Sequence, residues 1–97
     1  MLARTLVEER HAACVNVVPA VRSFYRWEGC VHDEAEVLLL AKTDKKRLAG
    51  LIDALAAAHP YDCPEIVALP IADGLPAYLA WIGEALDVVE PLTQVGK

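Results

Sequence analysis

Two hydrophobic rhythms alternate along this chain. At the start, Leu2, Ala3, Leu6 and Val7 follow helical spacing while Glu8, Glu9 and Arg10 are polar. The pattern predicts a helix that begins without an N-cap residue. From Cys14 to Arg26 the rhythm changes to a Val- and aromatic-rich strand, in which Pro19 marks a bulge or an exposed edge. Glu28-Gly29 reads as a turn, and Val31 to Thr43 as a second strand whose centre, Val37 to Ala41, is apolar on both faces. So little chain separates the two strands that a long antiparallel hairpin is expected. Leu48, Leu51, Ile52 and Leu55 then recur at i, i+3, i+4 and i+7, which predicts a helix over 45–59 stopped by Pro60. After a Pro-bracketed loop at 60–64, residues 65–72 read as a third strand and Asp73-Gly74 as a turn. Pro76 opens a last helix with Tyr78, Leu79, Ile82 and Leu86 on one face. The remainder, 87–97, is weakly patterned and is expected to be loosely ordered, with Val88-Val89 as a candidate short strand.

The order is helix–strand–strand–helix–strand–helix. One more strand ahead of the first helix would complete βαββαβ, the ferredoxin-like arrangement, in which the first strand lies at the centre of the sheet. The expectation is therefore an α+β, ferredoxin-like single domain over 1–97, with an additional C-terminal helix and with its first β-strand missing from this chain. A central strand left out strands a row of backbone donors and acceptors.

Composition adds a second reason to look for a partner. Counted with Gly and without Tyr, the apolar share is about 58%, above the ~45–50% of ordinary globular domains. A 97-residue chain buries only part of its surface alone, so another subunit is expected to cover some of it. The longest apolar run is five residues, too short for a bilayer helix. A net charge of −5 argues against nucleic acid. The basic group Lys42, Lys45, Lys46 and Arg47 encloses Asp44 and reads as a solvated strand-to-helix corner, with anion binding as the alternative. Cys14, Cys30 and Cys63 are odd in number and form no C-x-x-C, which fits a reducing, cytoplasmic setting.

Six short motifs stand in register. Ala12-Ala13-Cys14-Val15-Asn16 followed by Pro19, then Tyr25-Arg26-Trp27-Glu28-Gly29, then Lys42-Thr43 form the first half. His59-Pro60-Tyr61 with Pro64-Glu65, Ala68-Leu69-Pro70, and Tyr78-Leu79-Ala80-Trp81-Ile82 form the second. Together they resemble the CutA divalent-cation-tolerance proteins. The resemblance implies a ferredoxin-like subunit in a tight homotrimer whose strands pair edge to edge between neighbours. It also implies a response to, or binding of, copper and other divalent ions, with no required cofactor. Tyr25 and Trp27 at the hairpin tip, together with Trp81, are the expected interface anchors; the alternative is that the tip residues cover the subunit's own sheet. Family members begin with a strand and a loop ahead of the first helix, and a start assigned late is the expected reason for their lack here.

In that family a histidine beside the H-P-Y motif, its neighbour and a first-strand cysteine are implicated in copper binding. The matching pair here is Ala58 and His59, and the cysteine position falls in the lacking strand, so only His59 carries over. Nearby, Asp62, Cys63 and Glu65 place a thiol and two carboxylates in one Pro-bracketed loop. Thiolate with imidazole suits copper(I) or zinc. Cys63 occupies a position that is not normally cysteine in the family, so its role rests on this sequence alone. Glu65 reads equally as a strand-start carboxylate paired with a neighbouring subunit. His59, Glu65 and Cys63 form the candidate metal set. Two weaker pairs are His11 with Cys14, which a helical turn would bring to one side, and Cys30 with His32, on one strand face. No nucleophile elbow, P-loop or H-E-x-x-H is present, so no enzyme is expected. Rival readings are a PII-like trimer that binds ligands in clefts between subunits, and a purely structural scaffold.

Overall fold

The computed structural model describes residues 1–59 and 64–87. Its spine is an antiparallel hairpin of β1 (Cys14–Trp27) and β2 (Cys30–Lys42). A 14-residue strand at ~3.3 Å per residue reaches about 45 Å, most of the 54 Å long axis. The turn needs only Glu28 and Gly29, both at positive φ (49° and 79°). Two central residues at positive φ match the right-handed twist of the flanking strands. Glycine meets that demand without strain; Glu28 does not.

Pro19 acts as its chemistry dictates. The ladder runs Cys14↔Lys42 to Val18↔Leu38, then resumes at Val21↔Glu36. Pro19 and Ala20 thus form a bulge, and Ala20 takes φ 61°. An extra residue on one strand is the defining feature of such a bulge.

Helix α1 (Leu2–Glu8) buries Ala3 and Leu6 and packs on β1; Met1 caps it without a side-chain bond. Helix α2 (Lys45–Ala58) is capped by Asp44, whose carboxylate accepts the Arg47 backbone N–H at 3.0 Å. The same carboxylate also pairs with the Arg47 guanidinium at 3.1 Å, which offsets one of the cations of this basic corner. Helix α3 (Pro76–Leu86) buries Ile82 and Leu86 against Ala13, flanked by Trp81 and Ala85. Two long-range bonds lock the base. The Ala13 N–H donates to Lys42 O at 2.8 Å, and the Thr43 hydroxyl donates to His11 O at 2.8 Å.

Two expectations need correction. Residues 65–72 form no strand: among the described residues the sheet has two strands, and this stretch pairs with neither. Its alternation of Val67, Leu69 and Ile71 is strand-like, but a strand exists only through its ladder, and all three side chains remain exposed. His11 and Cys14 do not share a helical turn either. α1 ends at Glu8, Arg10 turns the chain at φ 61°, and Cys14 already lies in β1. The expected short strand at Val88-Val89 lies outside the described residues.

The buried core among the described residues is small: Ala3, Leu6, Ala12, Ala13, Leu51, Ile82 and Leu86. Large apolar side chains along the hairpin, the 64–75 segment and the start of α3 are exposed. The surplus of apolar residues read from composition is therefore on the surface of this protomer. No helix among the described residues is long and apolar enough to cross a membrane.

Candidate functional site

His59 is positioned by the end of α2. It is the C-cap residue, leaves the helix in an extended conformation, and donates its backbone N–H to Ala56 O at 3.3 Å. Its half-buried side chain helps line an apolar groove of about 250 Å³ together with Met1, Leu2, Ala3, Val17, Val37 and Leu39. Glu65 lies on the irregular 64–72 segment and is exposed. Cys63 and Asp62 lie outside the described residues. Among the described residues no three His, Cys, Asp or Glu side chains come close enough to hold a metal ion. His59 and Glu65 alone do not make a chelating set, since structural sites for soft metals use three or four protein ligands.

The hairpin tip carries the densest side-chain chemistry. Tyr25 stacks on His32 across the strands, centroids 5.1 Å apart and planes 14° off parallel. The Tyr25 hydroxyl donates to Glu34 Oε1 at 2.8 Å, and this bond raises the phenol above its ordinary range. On the opposite ribbon face Arg22 grips Asp33 with two bonds, Nε at 2.8 Å and Nη2 at 2.7 Å. That fork holds the Asp33 carboxyl below its ordinary value. Cys30 is exposed beside Trp27. Trp81, expected at a subunit contact, packs half-buried against the protomer's own Ala13–Ile82–Leu86 cluster and stacks on Tyr78 at 5.7 Å.

Sequence reasoning missed the cross-strand pairs at the tip. Once the turn is fixed at Glu28-Gly29, opposite positions sum to 57 as far as the bulge, which makes Tyr25↔His32 direct and Arg22–Asp33 diagonal neighbours. The Arg10 contact with Ala85 O, 75 positions away, carried no local signal at all.

These features describe a small α+β protein organised around one long hairpin, with its helices gathered at the base. Known proteins give that class a family. The profile described as CutA1 divalent ion tolerance protein matches residues 1–85. A divalent-cation tolerance protein CutA from Thermus thermophilus is 53% identical over 83 residues, which are 86% of this chain and 81% of that protein. The CutA homolog of Xenopus laevis is 43% identical over 83 residues, 86% of this chain but 55% of that longer protein. Among solved structures, the Thermus thermophilus divalent cation tolerance protein superposes with a TM-score of 0.84 at 51% identity, covering 89% of this chain and 84% of that one. A PII-like protein CutA from Nostoc, in apo form, gives 0.82 at 36% identity, covering 91% and 86%. A periplasmic divalent cation tolerance protein CutA from Archaeoglobus fulgidus gives 0.83 at 38%, covering 89% and 83%. The chain belongs to the CutA1 family.

Proposed function

We propose that this protein acts in divalent-cation tolerance as a cytoplasmic homotrimer that binds copper or another divalent ion and catalyses no reaction. The family match over residues 1–85 carries the reading. The assembly half draws support from the apolar outer face of the hairpin, where Val18, Leu38 and Leu40 stand exposed. A ferredoxin-like arrangement is the fold this reading requires. For the metal, His59 supplies an imidazole, Glu65 a hard oxygen donor and Cys63 a thiol, a mixed set that accepts copper or zinc. Isothermal titration of the reduced protein with Cu(I), Cu(II) and Zn(II) tests the binding half. Saturable uptake that His59→Ala weakens supports it; no saturable uptake of any of the three ions overturns it.

The Nostoc relative, named PII-like, favours one alternative: a trimeric ligand-binding or signalling module. A thermal-shift screen against nucleotides and small anions separates the two. Stabilisation by a nucleotide without any metal effect favours the module, and no response counts against it.

A further inference from the structure

An aspartyl side chain can close on the backbone nitrogen of the next residue to form a cyclic imide, provided that nitrogen is uncrowded and the chain around it can turn. Asp73 meets both conditions. It alone among the aspartates is followed by glycine; the others precede Glu34, Lys45, Ala54, Cys63 and Val88. Glycine has no Cβ to obstruct the approach of a side chain to its own nitrogen. Asp73 and Gly74 are exposed, in the stretch ahead of α3 that belongs to no helix and no strand. Asp33, by contrast, lies in β2 and is gripped by Arg22, Asp44 caps α2, and Asp53 lies inside α2. Regular hydrogen bonding around those three restrains the backbone that ring closure must rotate.

The reacting groups are already in contact. The Gly74 N–H donates to Asp73 Oδ1 at 2.8 Å. The ring closed by that bond runs from the Gly74 nitrogen through the carbonyl carbon, Cα, Cβ and Cγ of Asp73. Those are the ring atoms of the imide, and only the N–Cγ bond is lacking. Held contact between reacting groups turns an encounter into a unimolecular step. The Leu79 side chain packs 3.3 Å from where a Cβ on Gly74 would stand, so this turn is fitted to glycine. We infer that Asp73–Gly74 is a self-modification site, at which the chain isomerises to a β-linked isoaspartyl form. The Gly74 nitrogen attacks Cγ; the N–Cγ bond forms, and the carboxyl hydroxyl leaves with the amide proton as water. Water then adds back to the imide. Cleavage of the N–Cγ bond restores aspartate. Cleavage between the nitrogen and the Asp73 backbone carbonyl carbon leaves the chain routed through Cγ, with a free α-carboxylate. The added backbone atom falls ahead of Leu75, the N-cap whose carbonyl accepts the Tyr78 and Leu79 N–H groups at 3.0 and 3.1 Å. The change therefore lies outside the bonds that hold α3.

The test ages the full chain for weeks at neutral pH and physiological temperature. Digests are then labelled by a protein-isoaspartate carboxyl methyltransferase with isotopic S-adenosylmethionine, and the labelled peptides are assigned by mass spectrometry. Label at residue 73 is expected to exceed that at Asp33 and Asp53 at least several-fold. Asp73→Glu, whose ring would be larger and slower to close, is expected to lose the label. Gly74→Ala is expected to slow its growth several-fold. The same ageing in guanidinium chloride separates the dipeptide from its geometry: the folded chain is expected to gain label at residue 73 at least as fast as the unfolded one. Label at residue 73 no greater than at Asp33 or Asp53, or label that grows more slowly in the folded chain than in the unfolded one, overturns the inference.

Discussion

Arg10 offers a stability prediction whose magnitude follows from two opposed contributions. Its Nη1 donates to Ala85 O at 2.9 Å in a half-buried setting and so ties the last turn of α3 to the end of α1. A hydrogen bond from a charged donor contributes ~1.5–3 kcal/mol, and a cation at a helix C-terminus adds ~0.3–1 kcal/mol. Together they give about 2–3 kcal/mol, partly shared because both arise from one contact. Against this, Arg10 sits at φ 61°, which costs a residue with a Cβ ~1–2 kcal/mol. Arg10→Ala loses the tie and keeps the strain, so it is expected to lower stability by about 2 kcal/mol. Arg10→Gly loses the tie and sheds the strain, so its loss is expected to be about 1 kcal/mol. Urea unfolding followed at 222 nm, at one fixed protomer concentration, reads both. The order parent, Arg10→Gly, Arg10→Ala with equal m-values is the expected result. Arg10→Gly at or below Arg10→Ala, or Arg10→Ala within about 0.5 kcal/mol of the parent, refutes the reasoning.

Leu86, fully buried at the foot of α3, is expected to lose about 3 kcal/mol on Leu86→Ala, read by the same unfolding assay. Asp33 has its carboxyl lowered by the Arg22 fork, so the contact stabilises the hairpin above the ordinary carboxylate value. That contribution is lost as pH falls through the lower folded value. A carboxyl-carbon NMR titration is expected to place the Asp33 midpoint below 3.8 in the parent and to return it toward 3.8 in Arg22→Ala. Leu38→Asp/Leu40→Asp puts carboxylates on the outer face without touching the groove side. Loss of association in sedimentation with an unchanged circular dichroism spectrum is expected, because burying unpaired charge is costly.

Local chemistry made most elements readable. The bounds of α2 and α3 follow from their apolar spacing, Asp44 at one start and Pro76 at the other. Hairpin and bulge were written in Glu28-Gly29 and Pro19. The 65–72 stretch defeated the reading because alternation states a preference, whereas a ladder needs a neighbour that only tertiary structure supplies. The site was less legible for a related reason. His59 was singled out by its motif as a candidate, but the apolar groove beside it brings together α1, both strands and the end of α2, and no local pattern encodes that meeting. Trp81 illustrates the same limit: sequence marked an aromatic on α3, and only packing shows it lying against Ile82 and Leu86.

Tolerance itself is the claim nearest to function. Growth of cells lacking this gene, measured across graded copper concentrations and after restoring either the parent or the His59→Ala chain, tests it most directly. The account predicts that deletion lowers the half-inhibitory copper concentration, that the parent chain restores it, and that His59→Ala restores it poorly. Equal growth with and without the gene at every copper concentration would contradict it.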